Sequence, residues 1–186
     1  MLLIKDFFQN DTITVAKSLI GKQLSYKAEN VILGGIINET EAYTQEDKAC
    51  HAYNGKLTNR NKVMFDEPGT IYIYMIYGMY HCLNIVTEEK GRGCAVLIRG
   101  LVPTINKQII QQNRAYCKDK DLCNGPGKLM MGLTIPKELN GKTLSENCNL
   151  QIKDIHKKNY EILETPRIGI KENKKLLWRF VAPGLK

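Results

Sequence analysis

Close cysteine pairs are missing from this sequence, although it contains six cysteines among its 186 residues. The three histidines complete no zinc-binding pattern either, so no structural metal site is expected. No apolar run approaches the length of a membrane span, and the opening MLLIKDFF is too short and too soon charged for a signal peptide. We therefore expect a cytoplasmic protein without a membrane partner, in which most thiols are free and buried.

Acidic residues are scarce relative to basic ones, with 19 Asp and Glu against 27 Lys and Arg and a net charge of +8. Such an excess favours a polyanionic partner such as nucleic acid. The sequence also has no repeat, no low-complexity tract and no P-loop for a nucleoside triphosphate. Its length predicts one domain over residues 1–186, large enough to bury a core without disulfides or metals.

The stretch TIYIYMIYGMYHCLNIV at residues 70–86 has an unusual number of tyrosines. Its alternation predicts a strand that turns near Gly78 and returns, which places Tyr72 and Tyr74 on one face. A strand that only had to pack would more often use Val, Leu and Ile. The tyrosines indicate either a stacking platform with a wedge at its tip or amphipathic core residues with wetted hydroxyls, and the residues alone leave both open.

A second candidate feature is the strand VILGGIINETEAY, which ends in acidic residues. Alternation sends Glu39, Glu41 and Tyr43 to the same side of this strand. The two carboxylates are either used or paired inside the protein, or they are solvated on an edge strand. A later apolar strand, CAVLIRGLV, has Arg99 as its only charge, and this arginine requires a carboxylate partner such as Glu39 or Glu41.

Long connections in compact domains are often functional, and TQEDKACHAYNGKLTNRNKVMFDEPGT is such a connection. Its cations and hydroxyls are suited to meet phosphates. Further on, the glycine-rich CNGPGK precedes a short helix whose free amides, beside Lys128, are suited to hold an anion.

Three other elements are predicted to pack the fold. Asp11 caps a helix that ends at Gly21, and a second helix runs from Thr104 to Cys117 with Tyr116 in its apolar stripe. The segments EILETPRIGI and KLLWRFVA form a hairpin around the turn KENK.

Taken together, these blocks resemble the alkyladenine, or 3-methyladenine, DNA glycosylases of the methylpurine type over nearly the whole chain. The matching blocks are ETEAY, TNRNKVMF, PGTIYIYMIYGMYHCLNI, AVLIRGL, CNGPGKL, PRIGI and WRFVAPG. The resemblance implies an α+β fold, a single mixed domain with a curved, mainly antiparallel sheet, flanking helices and a protruding hairpin. It also implies monofunctional hydrolytic excision of damaged purines from double-stranded DNA, without metal or cofactor.

The resemblance also assigns roles to individual residues. Glu41 resembles the general base that deprotonates a water, held with the help of Arg99 and the backbone carbonyl of Ile168. Tyr77 resembles the residue that fills the gap in the duplex, beside Met79 and Tyr80. The implied base pocket consists of Tyr43, His51, Tyr74, Asn84 and Leu97, of which the last two crowd the exocyclic amine of guanine. The implied DNA-backbone contacts are Lys56, Thr58, Arg60 and Lys128.

This chemistry has a physical reason. Breaking an N-glycosidic bond builds positive charge on the sugar, and one carboxylate can both stabilise that charge and take a proton from water. An alkylated purine then leaves as a neutral base without a general acid, and a nearby cation such as Arg99 favours the anionic carboxylate. Departures from the family pattern, such as a shorter loop between Tyr43 and His51 and a histidine at position 81, concern substrate range.

Two other interpretations remain open. A DNA-binding module could sense distorted duplex without cutting it, with the same basic surface. A metal-dependent hydrolase could use Glu39, Glu41, His51 and His81, but hard-metal sites usually gather more carboxylates. We expect the chain to act as a monomer.

Overall fold

The computed structural model describes residues 1–155 and 160–185, and this part of the chain forms a curved antiparallel sheet with four short helices. The predicted α+β class is confirmed. The helices are α1 (Lys5–Phe8), α2 (Thr12–Leu19), α3 (Lys107–Asn113) and α4 (Pro126–Gly132). The strands are β1 (Gln23–Ala28), β2 (Val31–Tyr43), β3 (Ile71–Ile76), β4 (Tyr80–Val86), β5 (Ala95–Ile105), β6 (Leu150–Lys153), β7 (Leu163–Thr165) and β8 (Arg179–Val181).

The acidic strand β2 lies in the interior of the sheet. The strand order is β3-β4-β5-β2-β1-β6, and β8 pairs with both β2 and β7. Strand β1 follows β2 as far as Ile36, after which β8 pairs with β2 at Glu39 to Glu41. The alternative that these carboxylates are solvated on an edge strand is therefore wrong.

The tyrosine hairpin is present as predicted. Strands β3 and β4 pair in register from Ile71 with Ile85 to Ile76 with Tyr80. At the tip, Tyr77 and Gly78 have φ angles of 50° and 71°, and glycine enters this left-handed region without a Cβ penalty. The Tyr77 side chain is 84% exposed, so the tip presents an aromatic ring to solvent.

Two cores cover opposite faces of the sheet, because successive strand residues point to opposite sides. Ile71 and Ile73 belong to the larger core, which includes buried residues of all four helices. One of these helices, α2, is capped as predicted by Asp11, whose carboxylate accepts a hydrogen bond from the Thr14 amide at 2.9 Å. Tyr72 belongs to the smaller core on the other face, which the connection between β2 and β3 covers. Tyr43 and Tyr74 pack at its border.

The thiols agree with a further expectation. All six cysteines are free, and four of them are buried. None of the described helices has both the length and the apolar character that crossing a membrane requires.

The predicted helix start at Thr104 is wrong. Strand β5 continues to Ile105, because Pro103 and Ile105 still pair with β2. Asn106, in the left-handed region at φ 50°, then turns the chain into α3. The helix ends at Asn113, so Tyr116 lies beyond it and is 74% exposed instead of contributing to an apolar stripe.

The predicted C-terminal hairpin is right about the pairing of β7 with β8 but wrong about the turn. Residues 166–178, which the structure describes throughout, contain no strand. Arg167 in this segment is buried and binds Asp47, so the side chain that an alternating hairpin would expose is instead directed into the protein.

Candidate active site

A cavity of about 800 Å³ lies on the face of the sheet that the smaller core covers. Of the predicted site residues, Lys56, Thr58 and Met79 are exposed and lie outside it, the first two on the connection between β2 and β3 and the third at the hairpin tip. The fold brings the other predicted site residues together in the lining of this cavity. Those that line the cavity are Glu41, Tyr43, His51, Arg60, Tyr74, Tyr77, Tyr80, Asn84, Leu97, Arg99, Lys128 and Ile168.

Glu41 is fixed by two hydrogen bonds and by the charge of a nearby arginine. The Tyr43 hydroxyl donates to its Oε2 at 2.7 Å, and the Ile168 amide donates to its Oε1 at 2.9 Å. The Arg99 Nε lies 3.5 Å from Oε1. The side chain lines the cavity, yet its exposed fraction is 0%, because these groups cover both carboxylate oxygens.

Arg99 has both of the partners that the sequence predicts, so that expectation is confirmed. Its Nε lies 2.7 Å from the Glu39 Oε1, closer than it lies to Glu41. Arg179 of β8 also binds Glu39. Two arginines therefore neutralise Glu39, whereas Glu41 is held mainly by neutral donors.

A β-bulge places Arg99 among these carboxylates. Gly100 pairs with Glu39 while Ile98 pairs with Thr40, so Arg99 is an extra residue opposite β2. A Cβ at Gly100 would lie 2.7 Å from the Asn38 Oδ1 and 2.9 Å from the Glu39 Cβ. The close approach of the two strands at this charged cluster thus requires glycine at position 100.

Aromatic rings form the wall opposite Glu41. The rings of Tyr72 and Tyr74 lie on one face of β3, as predicted, with centroids 5.4 Å apart. His51 meets Tyr74 edge-on at 4.6 Å, and its Nδ1 lies 3.0 Å from the Tyr72 hydroxyl. Burial of the ring and the nearby Arg60 lower the pKa of His51, which favours the neutral imidazole.

Tyr43 and Tyr74, two of the tyrosines that line the cavity, are protonated at neutral pH. Burial, and then the charge of Glu41, raises the pKa of Tyr43 far above its ordinary value. Burial and the neighbouring Cys82 likewise raise the pKa of Tyr74. In the free protein Tyr43 is therefore a neutral hydrogen-bond donor to Glu41.

Asn84 and Leu97 form a rigid part of the cavity lining. They are direct neighbours across β4 and β5, and each is 3% exposed. The Asn84 Nδ2 donates to the Tyr72 carbonyl at 3.1 Å, which fixes the plane of its amide. A ligand in the cavity would meet these two side chains as a shaped surface.

Cations surround the cavity. The Arg60 guanidinium lies 5.5 Å from the Tyr74 ring centroid, and the Lys128 Nζ donates to the Asn124 Oδ1 at 2.7 Å and the Asp121 Oδ1 at 3.1 Å. The Thr58 hydroxyl donates to the Asn61 Oδ1 at 2.9 Å, which orders the exposed loop that carries Arg60. Sequence reasoning missed three further cations that line the cavity, namely Lys48, Arg114 and Lys171.

Sequence reasoning also missed a buried ion pair behind Tyr43. Arg167 lies 4.7 Å from the Tyr43 ring centroid and binds Asp47, and neither charged side chain has any exposed surface. The sequence did contain a signal for this pair, namely the charge of Arg167 in the otherwise apolar segment RIGI, because charged residues are rarely buried without a partner.

Residues 1–155 and 160–185 contain no group of three His, Cys, Asp or Glu side chains placed to hold a metal ion. His156 lies outside the described residues. The interpretation as a metal-dependent hydrolase therefore lacks a ligand set in this part of the chain.

The chain is similar to known proteins over nearly its whole length. The family model described as Methylpurine-DNA glycosylase (MPG) matches residues 6–186. Relatives named "Putative 3-methyladenine DNA glycosylase" include one from Clostridium perfringens (strain 13 / Type A), 43% identical over 97% of this chain and 95% of its own length. Another, from Carboxydothermus hydrogenoformans, is 45% identical over 97% of this chain and 94% of its own. The chain thus belongs to the methylpurine-DNA glycosylase family.

Proposed function

We propose that this chain removes damaged purines, alkylated or deaminated, from double-stranded DNA by hydrolysing the N-glycosidic bond and leaving an abasic site. The observation that carries the proposal is the position of Glu41, oriented by neutral donors in a cavity with tyrosine walls and a cationic rim. Membership of the family supports the enzyme class, and 3-methyladenine is the base named for its relatives. The enzyme acts as a monomer in base-excision repair.

The first step is extrusion of the nucleotide. A stacked purine must leave the duplex, at a cost of about a few kcal/mol that is lowest for damaged pairs. Tyr77, which is 84% exposed at the hairpin tip, inserts where the purine was and stacks on the neighbouring bases. Met79 and Tyr80 widen this wedge, with exposed fractions of 67% and 39%.

The extruded base then enters the cavity between Tyr43 and Tyr74, with His51 at the edge of the ring. Asn84 and Leu97 exclude the exocyclic amine of normal guanine, because both are held firmly in the lining. Each tyrosine ring already has a guanidinium close to it, Arg167 at 4.7 Å and Arg60 at 5.5 Å. The rings therefore attract a cationic purine less strongly than bare aromatic faces would.

The chemical step uses one water. As the C1′–N bond breaks, its electron pair leaves with the purine and the sugar becomes positive. The water oxygen bonds to C1′ while Glu41 accepts the proton that the water loses. Arg99 and the Ile168 backbone help to hold this water and the carboxylate, and an uncharged lesion additionally takes up a proton as it leaves.

Access of this water requires a movement of Tyr43. Glu41 has no exposed surface in the free protein, because the Tyr43 hydroxyl covers one oxygen and the Ile168 amide the other. A purine stacking on Tyr43 displaces the hydroxyl and frees an acceptor site on Glu41.

Phosphates of the DNA backbone bind the cationic rim. We assign these contacts to Lys56, Thr58 and Arg60 on the loop after His51, and to Lys128 at the start of α4. The resulting affinity should fall steeply with salt, since each phosphate contact releases counterions.

A panel of duplexes, each with one lesion, tests the proposal. Incubation with 3-methyladenine, 7-methylguanine, hypoxanthine or ethenoadenine duplexes should give abasic sites in at least one case, with unchanged yield in a metal chelator. A binding module that senses distorted duplex would bind these duplexes with the same salt dependence but release no base. Release that stops in chelator would instead favour the metal-dependent hydrolase.

Arg60 should tune the choice between cationic and neutral lesions. The substitution Arg60→Gln removes a positive charge near the Tyr74 ring. The ratio of the excision rate of 7-methylguanine to that of hypoxanthine should therefore rise about fivefold. The matched control is Lys56→Gln, a cation on the same loop, which should weaken duplex binding without changing the ratio. An unchanged ratio in both variants would contradict this role for Arg60.

A further inference from the structure

One wall of the cavity is formed by residues 168–172, which belong to no strand of the described chain. Sheet hydrogen bonds therefore do not hold this wall in place. Both of its flanks instead bind one carboxylate: Arg167 donates to the Asp47 Oδ2, and the Asn173 Nδ2 donates to the Asp47 Oδ1 at 2.7 Å. Asp47 therefore connects the two ends of this segment through hydrogen bonds.

The ion pair at the centre of this arrangement is poorly explained by stability alone. Both charged side chains have an exposed fraction of 0%, and a buried pair recovers little free energy beyond its desolvation cost. Within the described part of the chain, the Arg167 Nε and Nη2 have no hydrogen-bond partner. If Arg167 served only to pack the interior, an apolar residue of similar size could replace it without loss of stability.

Three contacts connect Arg167 to the proposed machinery. Its Nη1 donates to the carbonyl of Ala42, the residue between Glu41 and Tyr43, at 2.8 Å. Its guanidinium stacks against Tyr43, and Trp178 lies on it at 5.2 Å. The peptide bond that follows Arg167 is planar, so the position of this residue also sets the N–H that Ile168 donates to Glu41.

We propose that Asp47 and Arg167 are positioning residues that clamp the 168–172 wall, hold the Ile168 N–H against Glu41 and support the Tyr43 ring. Neither touches the purine or its sugar. The inference rests on the proposed function, because its effect is expressed through Glu41. It predicts a loss in the chemical step with little change in DNA binding.

The test compares single-turnover base release with affinity for a duplex carrying a tetrahydrofuran abasic-site analogue. Arg167→Met should slow release by about 100-fold, since small displacements of reacting groups cost that much. Affinity should change by less than about threefold, because the cations of the rim are untouched. Arg167→Lys, which can still reach Asp47 but offers no planar fork, should recover part of the rate.

A matched control is Arg92→Met. Arg92 is likewise an arginine held in ion pairs, with Glu46 and Glu88, but it does not line the cavity. Its loss should leave base release unchanged. The only tryptophan of the chain, Trp178, gives a second readout: its emission should shift in folded Asp47→Asn, where Arg167 loses its anchor, and stay unchanged in Arg92→Met.

If Arg167→Met does not fold, Asn173→Ala and Asp47→Asn carry the test. Asn173→Ala removes one flank of the clamp and keeps the Asp47–Arg167 ion pair. Asp47→Asn keeps the shape of the side chain but leaves the buried Arg167 charge without its carboxylate, so its folded fraction is measured first. Release about tenfold slower in these folded variants supports the clamp. Release at the wild-type rate in them overturns it, as does a fall that only matches a lower folded fraction. A wild-type protein that releases no base from any lesion would instead refute the proposed function.

Discussion

Glu41→Gln should bind a duplex with a damaged purine but release the base about 1,000-fold more slowly, since a positioned general base alone contributes roughly 100- to 10,000-fold. The amide is similar in shape to the carboxylate, but it can neither accept the proton of the water nor stabilise positive charge on the sugar. Single-turnover release, measured beside equilibrium binding to the same duplex, separates these two properties.

Glu39→Gln is the control for this result. It removes a carboxylate from the same charged cluster, where Arg99 and Arg179 bind it, but leaves Glu41 and its donors in place. We expect base release to slow by about tenfold or less, because this substitution affects Glu41 only through Arg99. Equal losses in the two variants would mean that the cluster matters only as a structural unit, and a Glu41→Gln enzyme with normal release would remove Glu41 from the chemistry.

Tyr77→Ala should lower excision from duplex DNA by about 10- to 100-fold, because an aromatic ring stacked on a base contributes roughly 1–3 kcal/mol. Stability should change by less than about 0.5 kcal/mol, since the side chain is 84% exposed at the tip of the hairpin. Excision from a single strand should change little, because a single strand leaves no gap to fill. Urea unfolding and release from both substrates measure the three quantities.

Tyr116→Ala is a closely matched control. Tyr116 is also a highly exposed tyrosine, at 74%, and its φ of 54° is in the same left-handed region as the 50° of Tyr77. It does not line the cavity. Its replacement should leave excision from duplex unchanged, whereas parallel losses in both variants would point to a general effect of surface aromatic residues on DNA binding.

Local patterns predicted the elements that matter most for the site. Period-two alternation located β2 and the tyrosine hairpin, and it placed Glu41 with Tyr43 and Tyr72 with Tyr74 correctly. The requirement that a charge in an apolar strand must have a partner predicted the contact of Arg99 with the acidic strand. The catalytic, pocket and DNA-contact roles of these residues stay predictions.

Longer-range features were beyond such patterns. The bulge that directs Arg99 towards the carboxylates is a property of two paired strands, and β5 extends past Pro103 because β2 continues beside it. The contact of Arg167 with Asp47 joins residues far apart in the sequence, and it converts a predicted hairpin strand into a cavity wall. Only the tertiary fold decides these outcomes.

The most direct measurement is a crystal structure of Glu41→Gln bound to a duplex that carries an intact damaged purine. Our account predicts the purine between the rings of Tyr43 and Tyr74, the substituted amide side chain at position 41 facing C1′ of its sugar, and Tyr77 in the vacated place. A purine still stacked in the helix, or one bound with position 41 directed away from the sugar, would contradict it.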